Sequence, residues 1–508
     1  MKVRPERTVE AEANEPMPSS GRSWLRPWIG GVALGAVVVA AIFAVYLSIY
    51  PAKGFAAPLG YDTPEYVWRT KLAQEVGLSA IDEPIPSLGR VKRGRPGYPA
   101  IAGTVSSLEG VDPFELAKVL PVAAAAALAL AAGAFAGSVL RRGRWEVGAV
   151  ALAVGASPFM ALLLAPEGYV DTIVALALFV AAAVFIARLP EDGWALVPAI
   201  VLLGVAGLVH FQFFALMLVT LAIVGLVWLP ESWRRWRSGS TGVLETPAGR
   251  LGVVAAGGSA LSLGLLYGVL GNAIPKTRSD VLEFKKKLAR DLPEYRFTVT
   301  GPLAAGGTAA LTAEARRDRA DRRARAGLVL LLAWGLVVLV GYLAGGVFHL
   351  RVPAHRFLSF ALCVPILGAI AVLWAARWLA RWWRPLGVLV VAAGLTVTAW
   401  EVHGQWFQNR PWIEAGKIEQ ADTVSAYLQA AHVPVGRPVV FIVGTKDPNG
   451  AGLMGHEIRA AIPAERIRHT YLFVGSADDF LARRAEPDPV SELYLRRMDG
   501  VFDQQPVA

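Results

Sequence analysis

Cysteine is nearly absent from this chain: Cys363 is the only one among 508 residues, so no intrachain disulfide framework exists. Charge is also sparse. Asp, Glu, Lys and Arg together make up 18% of the residues, against roughly 25% in an ordinary soluble protein. No Walker A motif occurs, and the loop Gly444–Gly452, which follows a strand-like run and opens a helical one, reads as a strand-to-helix turn. No internal repeat of the kind that marks many transporters is visible. The net charge of +10 points at first to nucleic acid. Most of the arginine, however, falls in short loops between apolar blocks, where it sets topology and meets anionic lipid headgroups. No nucleic-acid partner is expected.

What is present is hydrophobicity in blocks. Apolar residues are 55% of the chain, and they come in runs of about 17 to 25, the length that crosses a bilayer core as a helix. Residues 1–27 are polar and basic and are expected to form a disordered cytoplasmic tail. A first span over about 28–50 is too long for a signal-peptide core and is followed by no convincing small-x-small cleavage site, so it reads as an uncleaved anchor. A long polar loop, 51–113, precedes spans at about 114–140, 145–165 and 169–187. Residues 194–229 would form one helix about 54 Å long, far more than a bilayer core. They are therefore split at His210 into two short helices.

A span at about 250–272 is followed by loop 273–325. Within it, 277–292 reads as a basic amphipathic helix at the membrane surface, carrying the Lys285–Lys287 run, and 297–314 as a weakly apolar crossing. Spans at about 326–347, 357–376 and 385–402 complete the bundle. The Arg-rich connections 141–144, 234–237, 316–325 and 377–384 then fall on one side, the cytoplasmic one by the positive-inside rule. Trp374, Trp378, Trp382 and Trp383 read as an interfacial belt. Beyond 402 the pattern changes. Strand-like runs at 438–444 and 469–475 alternate with helical segments at about 418–431 and 452–461, which predicts a small parallel α/β unit. The expected fold is an all-α polytopic membrane bundle (28–402) of about ten or eleven transmembrane helices, with a C-terminal extracytoplasmic α/β domain (403–508). Integral placement in the cytoplasmic membrane follows.

The chemistry-bearing residues gather at the predicted outer ends of the spans. Gly60-Tyr61-Asp62-Thr63-Pro64-Glu65-Tyr66-Val67-Trp68-Arg69 follows the first span. Asp62 makes a good N-cap, with Pro64 in the first turn and Glu65 at capping-box spacing, so helix initiation explains it locally. Yet Asp62, Tyr66 and Arg69 repeat at helical spacing and so share a face. An acid, a hydroxyl and a cation beside a membrane surface suit an acceptor and a phosphate. Glu167 and Asp171 flank Gly168-Tyr169-Val170, and Asp171 is either a helix-dipole partner or an intramembrane acid. His210 reads as a satisfied interfacial residue. Arg351, His355 and Arg356 precede a late span, as anchors or as phosphate ligands.

This arrangement resembles the GT-C superfamily of membrane glycosyltransferases. Its members carry an acidic catalytic residue in the first extracytoplasmic loop, the position Asp62 matches. The similarity extends to Tyr98-Pro99-Ala100, Asp112-Pro113, Glu167-Gly168-Tyr169-Val170-Asp171 and His355-Arg356-Phe357-Leu358-Ser359-Phe360 with Pro365. The oligosaccharyltransferase signature Trp-Trp-Asp-Tyr-Gly is absent, which argues against that branch, and no Asp-x-Asp or Glu-x-Asp pair surrounds Asp62. A metal requirement, Mg²⁺ or Mn²⁺, is left open.

The resemblance implies an inverting transferase that takes a sugar from a polyprenyl-phosphate donor to a glycan, lipid or protein acceptor. Asp62 would be the general base. Glu167 or Asp171 would orient the acceptor or a metal, and Arg69, Tyr66, Arg351, His355, Arg356 and His210 would bind substrate or phosphate. Membrane lipids are the remaining partner. A secondary transporter or flippase, or a non-catalytic envelope-assembly protein, are the rival readings.

Overall fold

The computed structural model describes residues 25–60, 63–78, 96–164, 169–269, 300–317, 321–348, 350, 354–407, 426, 429–432, 434, 439–443 and 470–474. Within them the chain is a helical bundle. Helix α1 (Leu25–Leu47) continues into the short α2 (Ile49–Lys53), then α3 (Thr63–Val76), α4 (Gly97–Glu109) and α5 (Pro113–Ser138) follow. Next come α6 (Arg144–Gly155), α7 (Pro158–Leu164), α8 (Val170–Ile186), α9 (Leu196–Val209), α10 (Phe211–Arg237) and α11 (Pro247–Leu263). The last group is α12 (Thr300–Arg317), α13 (Arg322–Tyr342), α14 (Ala354–Ser359), α15 (Cys363–Ala380) and α16 (Arg384–Trp406).

Six of the described helices are long and apolar enough to cross a membrane, or seven if α6 and α7 form one broken span. The expected ten or eleven spans are therefore only partly matched by full-length helices. The shorter apolar helices include α8 and α9. At 14 residues, α9 is about 21 Å long, less than a bilayer core of about 30 Å. The segment expected at 297–314 is helical as α12 but is not among the six. It lies so close to α15 that a β-carbon on Gly307 would overlap the carbonyl of Leu367.

The break at His210 is real, with a different partition from the two short helices expected. Only α9 is short. Helix α10 runs 27 residues, through Pro230 and on to Arg237. The span expected at 145–165 is bent by 43° between α6 and α7. Gly155 ends α6 against Ile42, and the Tyr46 hydroxyl donates to the Gly155 carbonyl at 2.8 Å. The phenol supplies a partner for a carbonyl at the helix break, where the regular ladder cannot.

One end of the bundle collects the arginine-rich connections. Arg142 donates to both carboxylate oxygens of Glu314, at 3.1 and 2.6 Å, joining the end of α5 to α12. Arg377 on α15 bonds Glu146 on α6 and lies 3.7 Å from Glu314. Arg323 meets Glu191 at 2.8 Å, and Arg250 donates to the Leu189 carbonyl at 2.8 Å. Segments predicted to share one side of the membrane thus share one end of the fold. Its opposite end holds α3, α4, α14, the start of α8 and the α9–α10 turn.

In the tail, β1 (Val439–Val443) and β2 (Thr470–Val474) pair in parallel, with Val439 opposite Thr470. Parallel neighbours need a crossover connection. The helices expected at 418–431 and 452–461 lie largely outside the described residues, as does the amphipathic segment 277–292 with its lysine run.

Candidate functional site

The end opposite the arginine network is assembled by short, specific contacts. Gly60, with φ of +104°, turns the chain toward α3, a conformation glycine adopts without steric cost. The Thr63 hydroxyl then donates to the Leu59 carbonyl at 2.6 Å. On α3, the Tyr66 ring is buried and packs on Tyr98 of α4 with centroids 4.9 Å apart. Burial pushes the Tyr98 phenol up, so it stays protonated. Arg69 is also buried, and it meets Glu65 one turn earlier at 2.5 Å. Lys71 ties the same helix to Asp112 at 3.3 Å. Asp112 in turn caps α5 by accepting the Phe114 amide at 2.7 Å.

Helix α4 begins against α9. A β-carbon on Gly97 would overlap the backbone of Val209, the last residue of α9. His210 follows, fully buried, and its Nδ1 accepts the Phe213 amide at 3.3 Å. That bond assigns the proton of the neutral ring to Nε2. Nε2 lies 3.7 Å from Oδ2 of Asp171, which is also fully buried. Oδ1 of Asp171 accepts the Thr172 amide at 2.8 Å in the first turn of α8. Both readings of Asp171 thus apply: it sits where the helix dipole favours a carboxylate, and it is a buried acid facing an imidazole.

Arg356 completes the group. Its guanidinium carbon lies 5.2 Å from the centroid of the Tyr169 ring, at the N-cap of α8, a cation–π arrangement. Its Nε and Nη1 atoms are sealed from solvent and meet no acceptor among the described residues. A β-carbon on Gly341 would overlap the Phe357 ring, so α13 seats α14 closely. The Phe360 ring follows α14 and lies 5.8 Å from Phe213. A continuous line of contact therefore runs from Tyr66 through Tyr98, the Gly97–Val209 junction, His210 and Asp171 to Tyr169 and Arg356.

Of the residues singled out in the sequence, Tyr66, Arg69, Asp171, His210 and Arg356 are thus placed on this one end. Asp62, Glu167 and Arg351 lie outside the described residues, and only the backbone of His355 is described, within α14. Tyr66 and Arg69 are packed into the bundle rather than displayed on a free face. Tyr98 and Tyr169 had been quoted only inside motifs. Each proves to hold a neighbour, and the one sequence signal was their adjacency to Gly97 and Asp171. No group of three or more His, Cys, Asp or Glu able to hold a metal occurs among the described residues. Oδ1 of Asp171 is held by the Thr172 amide, while Oδ2 faces the His210 ring at 3.7 Å.

No family model matches the sequence, and no curated protein matches it. Among solved structures, the chain is similar to an oligosaccharyltransferase from Archaeoglobus fulgidus in its apo form. The identity is 13% and the TM-score 0.49, with 94% of this chain and 69% of that one covered. It is also similar to the oligosaccharyltransferase AglB from the same organism, in complex with an inhibitory peptide and a dolichol-phosphate. There the identity is 14% and the TM-score 0.49, with the same coverage. Both belong to the branch whose Trp-Trp-Asp-Tyr-Gly signature this sequence lacks.

Proposed function

We propose that this chain is an inverting membrane glycosyltransferase of the GT-C type. It takes a sugar from a polyprenyl-phosphate-linked donor at the extracytoplasmic face and delivers it to a cell-envelope glycan, glycolipid or protein. One observation carries the reading. Arg356 holds two buried guanidinium nitrogens that meet no acceptor among the described residues, beside an aromatic ring and at the same end as a buried acid and imidazole. A desolvated guanidinium is costly unless an anion meets it, and its fork geometry matches a phosphate.

In the proposed step, the acceptor oxygen forms a bond to the anomeric carbon while the carbon–oxygen bond to phosphate breaks. Asp62, which immediately precedes α3 in sequence, takes the acceptor proton. Arg356 receives the negative charge that grows on the departing lipid phosphate, assisted by Arg351 and His355. Asp171 and Glu167 orient the acceptor. His210, its tautomer fixed by Phe213, holds Asp171 in place. Arg69 is engaged by Glu65 and supports α3. The arginine-rich end faces the cytoplasm, so eleven crossings place the 403–508 domain outside, where it covers the site or binds acceptor.

The test is transfer of labelled sugar from a panel of polyprenyl-phosphate donors, in membranes containing the wild type or Asp62→Asn at equal abundance. Transfer by the wild type alone is expected. Equal transfer by both would reduce Asp62 to a helix cap and move the base to Glu167 or Asp171. Absence of transfer with every donor would sink the enzyme reading in favour of a transporter or assembly role.

A further inference from the structure

At the arginine-rich end, the start of α6 and the turn between α15 and α16 form a corner. Its carboxylates are already used. Glu146 is bonded by Arg377, and Glu314 is shared between Arg142 and Arg377. Arg144 lies two residues before Glu146, and Arg381 one turn after Arg377. Arg384 opens α16. All three are exposed, and none forms an ion pair among the described residues. The positive charge left at this corner therefore has no answer among the described residues.

Tryptophans adjoin the same three arginines in sequence. Trp145 is 86% exposed, Trp382 77% and Trp383 58%, so three large indoles are left uncovered beside the cations. The Trp378 and Trp382 rings meet edge to face with centroids 6.4 Å apart. Directly beyond Arg384, Val388 and Leu389 on α16 are also more than half exposed. The turn reads Arg381-Trp382-Trp383-Arg384, and the aliphatic Val388 and Leu389 follow one turn along α16. Guanidinium, indole and aliphatic groups together are what the phosphate, interface and acyl chain of a leaflet lipid require. A soluble anion would be met by the arginines but leaves the indoles and the Val388–Leu389 flank without a partner.

We propose that this corner binds an acidic phospholipid, with Arg144, Arg381 and Arg384 on the headgroup phosphate and Trp145, Trp382 and Trp383 flanking it at the interface. The site is at the far end of the bundle from Arg356 and stands whether or not sugar transfer is observed.

The experiment uses the full chain, purified and placed in nanodiscs of mixed phosphatidylglycerol and phosphatidylcholine with identical acyl chains. Lipid retained after transfer to detergent is counted by native mass spectrometry. Wild type should retain phosphatidylglycerol at about tenfold over its share of the bilayer, a preference that weakens with added salt. The double variant Arg381→Gln/Arg384→Gln should bring retention to parity. Arg384→Gln alone should lower it about fivefold. Since these side chains hold no ion-pair partner among the described residues, the unfolding temperature in pure phosphatidylcholine should stay unchanged. Trp382→Ala should weaken retention of both lipids. Equal retention of the two lipids by wild type, or undiminished preference in the double variant, would overturn the proposal. So would displacement of the lipid by millimolar inorganic phosphate, which would make the occupant a soluble anion.

Discussion

The two ends of this bundle use arginine in opposite ways. At one end Arg142, with its side chain 2% exposed, is matched by both oxygens of Glu314, and Arg377 and Arg323 have carboxylates of their own. At the other end, Arg356 lies over an aromatic ring with two guanidinium nitrogens that meet no acceptor among the described residues. A matched buried cation ties helices together, and removing it leaves its partner stranded. An unmatched one adds little to the folded state and is poised for a ligand. The comparison teaches that charge pairing, more than charge itself, separates a structural arginine from a functional one.

Substitutions can break or sharpen that contrast. The largest effect is expected for Arg356→Gln. It should lower sugar transfer by about a hundredfold, as for loss of one donor to a developing anion, with the unfolding temperature unchanged or raised. A parallel loss of stability would mean that Arg356 is structural after all. Arg142→Ala should do the reverse, destabilising the protein by about 2–3 kcal/mol, read by denaturation in lipid or detergent, while the specific activity of the folded fraction holds.

Gly97→Ala forces a β-carbon into Val209. It should cost about 1–3 kcal/mol and, by moving α4 away from His210, also reduce transfer. This would show that the site end depends on backbone approach rather than on ion pairs. The smallest effect belongs to Arg141→Ala, whose pair with Asp321 at 3.4 Å is half exposed on the arginine side. A change within about 1 kcal/mol is expected in the same unfolding assay.

Much of this organisation was legible in the residues. Apolar block length gave the helices, and the arginine clusters at 141–144, 316–325 and 377–384 correctly grouped the connections at one end. The split at His210 followed from length alone, since one helix over 194–229 would overrun the bilayer. The partition was not legible, because α10 carries its helix through Pro230 and α9 stops short. The break at Gly155 was missed for a related reason. Its signal is a glycine that admits Ile42 and a phenol from Tyr46, residues over a hundred positions away.

The site was legible in part. Sequence spacing placed Tyr66 and Arg69 on one turn of helix but gave no hint that Glu65 and Tyr98 would occupy them. His210 read as a bland interfacial residue, because nothing local announces Asp171 as its neighbour. The sequence by itself determined that the chain is a membrane bundle and which loops are basic. Those properties depend on local composition and on the energy of moving apolar and charged groups between water and lipid. Tertiary structure alone decided which arginines are paired, that Asp171 faces His210, and that Tyr169 backs Arg356. Each of these depends on side chains far apart in the chain meeting within a few ångströms, and helical periodicity carries no information about that.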